Sequence, residues 1–487
     1  MNKKNVIIGL LIALALAGFL KKDFLMNEGK QLLFGSQKYQ GETLRIVLNT
    51  AETGLSPLSV NLNDTLRTAN IYQGLVAFDR NLKTIPALAV SWGNLDSLTW
   101  EFKLRQGVLF HDRSALTAKS VLENFEGAKK ATGSEIAGYL TNIKEIKVVN
   151  DYNIQIITEK PDPLLLSKLT KLMISRSGNI GTGPYKVFDW VKSTKLALTA
   201  FPQYWGRQPA YRNVEYAVTT NRTQRKSDFE QGKTDILVAV PRDQALELPQ
   251  EQVKTSYSLE TNFLMFNLAD PLLKKREIRE AIRTIFDPNK IEEIGNFFVR
   301  QATQFVAPGV FGYNADIPPF KYSEEKRAKS LFGSRLEKLG FDYLETYRTL
   351  SEYLEQQMRE AGFSVASHAV SPEELLRRIK ANESTLFLVG WQAEDGDAGG
   401  FLDAFIHSGG ELNNGRYSNP EVDKMIEESR QEMDPKKRLK LLQNIMLKVN
   451  DDLIGIPLFE SSRLYAVKKG LKWEPRLDGL VLAAEVE

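Results

Sequence analysis

The chain contains no cysteine among its 487 residues. That excludes disulfides, thiolate metal ligands and a cysteine nucleophile. Histidine is almost as scarce: His111, His368 and His407 are the only three, and none stands in a His-x-x-x-His arrangement. No Gly-x-Ser-x-Gly elbow marks a serine nucleophile. The Gly181-Thr182-Gly183-Pro184 turn is not a phosphate loop. No Lys-Ser/Thr follows it, Pro184 lacks an N–H, and Tyr185 and Val187 continue with the alternation of a strand. Net charge is nearly absent as well. A formal +3 gives no reason to invoke nucleic acid or an anionic membrane surface. Neither an internal repeat nor a low-complexity tract is present.

What remains is the composition of a folded soluble protein, 42% hydrophobic and 26% charged, and long enough for two or three domains. Lys3-Lys4 precede an apolar run from Asn5 to Leu20 with a small-residue site at Ala17. Residues 1–22 therefore read as a signal peptide, or alternatively a membrane anchor through residues 5–20, and 23–40 as a polar tether. Further on, Leu98, Trp100, Phe102 and Leu104 alternate as a strand with one buried face, and a helix follows Thr117. Ile143 to Lys160 has the pattern of a hairpin about Asn150-Asp151. Asp287-Pro288, Ser371-Pro372, Asn419-Pro420 and Asp434-Pro435 each place a capping side chain before a proline, marking helix starts. The basic clusters Lys274-Lys275-Arg276 and Lys436-Lys437-Arg438 read as solvated helix faces.

Near the C-terminal third the pattern is strand, helix, strand: Phe363 to Val370, Ser371 to Ala381, Thr385 to Trp391. The expectation is that the two strands are parallel neighbours, with ligands binding beyond their carboxyl ends. The residues there are Trp391-Gln392-Ala393-Glu394-Asp395-Gly396-Asp397-Ala398, carboxylates among small residues beside a tryptophan. Such a strand exit can hold an ammonium group by a charge-assisted hydrogen bond.

The segment from Ile71 to Glu123, with Tyr72-Gln73-Gly74-Leu75, Pro86-Ala87-Leu88-Ala89, Ser91-Trp92 and Phe110-His111-Asp112, closely resembles the extracellular solute-binding proteins of peptide and nickel importers, family 5. Further stretches match in order: Gly181 to Tyr185, Tyr204-Trp205-Gly206, Phe229 to Ile236, Phe266-Asn267, Arg279 to Ile282, Gly390-Trp391 and Tyr417 to Asp423. The resemblance implies an α/β, two-lobed periplasmic-binding-protein-like fold of type II, with an extra subdomain in the first lobe. It places lobe I at 41–258 (subdomain about 71–180), lobe II at 259–467 and a return to lobe I at 468–487. Two crossing segments make a hinge.

The function implied is capture of a peptide between the lobes and delivery to an ABC permease complex, by an exported monomer with no turnover, cofactor or metal of its own. Nickel is an alternative cargo. A membrane-tethered peptide sensor and a secreted hydrolase are alternative functions. By the same resemblance Asp397 matches the aspartate that takes a peptide's amine, with Trp391, Glu394, Asp395 and Gly396 around it. Ala51, Glu52, Thr53 and Gly54 match the segment that lines the cleft. Dipeptide-binding relatives hold the ligand carboxylate with an arginine that Gly340 to Tyr347 lacks, and Arg348 is its only nearby substitute. An oligopeptide is therefore favoured over a dipeptide. Gly18 stands where Gram-positive relatives carry a lipid-modified cysteine, so that form of anchoring is excluded.

Overall fold

The computed structural model describes residues 39, 41–131, 134–295, 298–323, 337–393 and 395–487. The expected leader, nearly all of the tether, and Glu394 lie outside the described residues. Among the described residues, no helix is long and apolar enough to cross a membrane.

The first strands in chain order are β1 (Gly41–Leu48), β2 (Val76–Phe78), β3 (Thr84–Pro86), β4 (Ala89–Asn94), β5 (Thr99–Leu104), β6 (Ile143–Asn150) and β7 (Asn153–Thr158). Next come β8 (Tyr185–Val191), β9 (Lys195–Ala200), β10 (Tyr211–Val218), β11 (Ile236–Val238) and β12 (Val253–Phe266). The last are β13 (Val299–Gln301), β14 (Glu337–Leu344), β15 (Phe363–Val370), β16 (Leu386–Gln392) and β17 (Gly455–Val467).

One sheet runs through the whole molecule in the order β15-β14-β16-β12-β17-β11-β1-β10-β9-β8, with β13 on β17. In lobe I, β1 lies parallel to β10 and β11. Its Leu44, Ile46 and Leu48 alternate into a core with Leu198, Val214, Tyr216 and Trp473. In lobe II, β14 is parallel to β15 and β16. Leu339, Phe341 and Tyr343 pack there on Leu350, Leu354 and Met358 of the helix Arg348–Glu360. Here the structure corrects the sequence reading: β15 and β16 are parallel but not neighbours, because β14 sits between them. The helix Pro372–Lys380 carries the chain over that middle strand, which a right-handed crossover permits. The signal for β14 was the alternation of Leu339, Phe341 and Tyr343, which Gly340 interrupts only in composition, not in period.

The subdomain is a four-stranded antiparallel sheet, β4-β5-β7-β6. Trp100, Phe102, Ile154 and Ile156 face Val121 and Phe125 of the helix Ala118–Lys130. The glycine turn after it is packing, not chemistry. A Cβ on Gly181 would stand 2.0 Å from the Ile71 carbonyl oxygen, so only glycine fits. Its N–H donates to His111 Nδ1 at 3.2 Å, while His111 Nε2 lies 3.1 Å from the Gly183 carbonyl. Burial lowers the His111 pKa to about 4, which keeps the ring neutral as this pairing requires.

Among the described residues, β12 and β17 are the strands of the sheet that run in both lobes, and they pair antiparallel with each other. Tyr257 pairs with Ser462 and the next rung joins Thr261 to Glu460, so β12 bulges over Ser258 to Glu260. On one side of the bulge β17 pairs with β11 of lobe I; on the other β12 pairs with β16 of lobe II. The four Pro-marked helix starts all carry their caps, with Asp287, Ser371, Asn419 and Asp434 accepting from backbone N–H groups of the first turn.

Candidate functional site

The parallel strands β14 and β16 of lobe II end toward the gap between the lobes. β16 exits at Gln392 into the acidic loop, and β14 exits at Leu344 into Glu345–Tyr347. Two cavities occupy this region. One, of about 190 Å³, is lined by Tyr72, Gln73 and Lys171 from the lobe I side, Leu259 and Gln392 from lobe II, and Arg476 from the returning segment. The other, of about 490 Å³, is lined by Arg242 of lobe I, by Glu260 and Ser461 of the crossing strands, and by Thr346, Tyr347 and Thr349 of lobe II. Glu260 and Gln392 are direct partners in the β12–β16 ladder. Each cavity therefore reaches that rung, beside the bulge of the crossing strands.

The acidic loop is built from both lobes. Gly396 adopts φ +70°, and a Cβ there would meet Leu82 of lobe I at 3.2 Å. The Ser167 hydroxyl donates to the Asp395 carbonyl at 2.5 Å. Phe311 donates its N–H to the Gly396 carbonyl and accepts from the Ala398 N–H, holding the loop to lobe II. Trp391 packs edge-on against Phe405, 5.3 Å between ring centres. Its Nε1 and the hydroxyl of Thr261, its partner across the ladder, are both buried without a hydrogen-bond partner among the described residues.

Asp397 does not present its carboxylate to the gap. It is 5% exposed and gripped on both oxygens by Arg438, at 2.5 and 2.9 Å. The Gly399 N–H takes Oδ1 at 2.8 Å. Buried, and with its charge already paired to Arg438, it is not presented to an ammonium group in the gap, which goes against the expectation that Asp397 takes the amine. Arg438 itself is buried in the helix Pro435–Asp451, so the basic cluster it belongs to is not wholly a solvated face. Asp395, two residues earlier, is only half-buried. Burial first, and the Asp397 charge second, push its carboxyl up to about 6, while Lys171 works the other way. The Asp397 N–H donates to its Oδ1 at 3.2 Å.

The segment after β1 is likewise turned inward. Glu52 is 4% exposed and accepts from Trp190 Nε1 at 2.9 Å and the Ser193 N–H at 2.7 Å, with Arg67 at 3.4 Å. The N–H groups of Thr53 and Gly54 are given to Asp64. Ala51, Glu52, Thr53 and Gly54 line neither cavity. Nor is Arg348 available for a carboxylate, because Glu345 takes it bidentately at 2.6 and 2.7 Å on an exposed surface. Among the described residues, no group of three or more acidic or histidine side chains is placed to hold a metal ion.

Comparison with known proteins fits this architecture. The model of the bacterial extracellular solute-binding proteins, family 5 (middle region), matches residues 83–413. The chain belongs to that family. Among curated relatives of this family 5 protein, a probable di/tripeptide-binding protein of Pseudomonas aeruginosa is 24% identical over 87% of the chain and 91% of its own length. The dipeptide-binding protein of Escherichia coli is 22% identical over 93% and 96%. A periplasmic murein tripeptide-binding protein in its unliganded open form superimposes with a TM-score of 0.83 at 18% identity, covering 92% of this chain and 97% of that one. The two-lobed type II fold of the family 5 protein is thus shared by solved structures.

Proposed function

We propose that this family 5 protein is the solute-binding component of an ABC importer, capturing a peptide between its lobes and presenting it to a membrane permease complex. The observation that carries the reading is the position of the two cavities. Each takes wall residues from both lobes and from the crossing strands. A body that rotates about the bulge in β12 would open and close both together. The named peptide-binding relatives add support for the ligand class. Because each cavity reaches the Glu260–Gln392 rung, a peptide longer than two residues, extended across that rung, suits them better than a dipeptide. Main-chain hydrogen bonds would supply affinity, and Asp395, which lines neither cavity but is close enough to Lys171 in the wall of the smaller one to feel its charge, would take the ligand's amine in place of Asp397.

The expected result on native mass spectrometry of the purified protein is a population of retained peptides that dissociate on unfolding. Small-angle scattering is expected to show a smaller radius of gyration after peptide is added to the stripped protein. Retention of a solute with no amide backbone, or unchanged dimensions on saturation, would remove the peptide reading.

A further inference from the structure

Arg242 opens the short helix Arg242–Glu247, just past the end of β11. Its side chain is half-buried, and among the described residues none hydrogen-bonds to it or forms an ion pair with it. Among the described residues, other arginines near the gap are committed. Arg476 is held by Asp478 and Glu485, Arg438 by Asp397, Arg300 by Glu460 and Arg348 by Glu345. An arginine stays protonated even when burial lowers its pKa, as it does here. A partly desolvated guanidinium with no partner therefore awaits an anion.

The groups around it fit that description. Glu260 and the phenol of Tyr347 act on Arg242 only through space. The Tyr347 hydroxyl is already spent on Asn262 Oδ1 at 2.7 Å. Glu260 shares the cavity wall and lies over Gly390, where a Cβ would come within 2.8 Å of its Oε1, and it makes neither a hydrogen bond nor an ion pair with the guanidinium. Thr346, Thr349 and Ser461 add hydroxyls to the same 490 Å³ cavity.

We propose that Arg242 receives the terminal carboxylate of the captured peptide, in the cavity between its own helix and the start of the helix Arg348–Glu360. The assignment rests on the peptide reading above. The planar guanidinium fork matches a carboxylate bidentately, and the threonine hydroxyls can donate to the same oxygens. It also supplies, from lobe I, the cation that Gly340 to Tyr347 lacks on lobe II. A carboxylate held between Arg242 and the Thr346 to Thr349 turn touches both lobes, so it favours the closed arrangement over the open one.

The test uses trialanine and its C-terminal amide, titrated calorimetrically into the parent protein, Arg242→Gln and Arg242→Lys. The parent is expected to prefer the free acid. Arg242→Gln is expected to bind the free acid roughly 10- to 100-fold more weakly while leaving the amide unchanged, as for loss of a charged hydrogen-bond pair. Arg242→Lys, with a point charge but no fork, is expected to fall between. Equal weakening of both peptides by Arg242→Gln, or no weakening of the free acid, would overturn the assignment while leaving the peptide reading intact. A parent protein that binds neither peptide would overturn both.

Discussion

Arg438→Met is expected to destabilise lobe II by about 3–5 kcal/mol, the usual cost of leaving one buried charge without its partner. The Asp397 carboxylate would retain only the Gly399 N–H, in a site 5% exposed. The same guanidinium also donates from Nε to the Ser429 carbonyl at 3.0 Å, so the end of the helix Pro420–Ser429 loses a tie as well. Urea unfolding followed by tryptophan fluorescence reads the loss, with Arg348→Met as the control. That arginine pairs with Glu345 at the surface and is expected to contribute about 1 kcal/mol or less. The double variant Asp397→Leu/Arg438→Met is expected to recover most of the loss, since apolar pairs replace buried ion pairs at little cost. A single variant as stable as the parent would mean that the pair is not a structural strut, and would return Asp397 to the pool of ligand-binding groups.

Asp395→Asn is expected to weaken peptides with a free amine by roughly 10- to 100-fold and N-acetylated peptides hardly at all, as for one charge-assisted hydrogen bond of about 1.5–3 kcal/mol. Acidity should mimic the substitution. With the folded-state carboxyl raised from 3.8 to about 6, amine binding by the parent declines as the pH falls through that value, and the Asp395→Asn protein shows no such decline. The ligand-free protein behaves in the opposite sense. Its folded form binds the proton more tightly than the unfolded chain does, so this group's contribution favours folding most below about pH 4 and is lost as the pH rises through 6. Equal losses for free and acetylated peptides would show that Asp395 acts on the loop rather than on the amine.

Much of the scaffold was legible because it depends on local pattern. The alternation in β5, the β6–β7 hairpin and the proline-marked caps all report short-range physics, and the order of family segments did the rest. The choice among carboxylates was not legible. Asp395 and Asp397 differ in the structure because of Arg438, which lies 41 residues further on. One clue did exist. Arg438 falls on the helix face of Leu442, Ile445 and Val449, all buried, whereas Lys436 and Lys437 do not. A cation on an apolar stripe requires a buried anion, and the acidic loop is where one was available. Glu52 was misjudged in the same way, since its partners Arg67, Trp190 and Ser193 come from separate elements that no spacing rule connects. Arg242 carried no signal at all, because being unpaired is a property of the surroundings.

The bulge in β12 has a further consequence for how such chains can change length. Between the rungs Tyr257–Ser462 and Thr261–Glu460, the first strand advances by four residues and the second by two. Both steps are even, so side-chain parity survives on each strand, and Phe263 and Met265 still point into the core they share with Phe305 and Phe401. Dropping or adding a single residue here would turn the rest of β12 inside out, exchanging its two sets of buried side chains, whereas a change of two would leave each facing its own side. A single-residue offset is taken up instead on β17, which advances by two against one between the rungs Asn262–Phe459 and Phe263–Pro457.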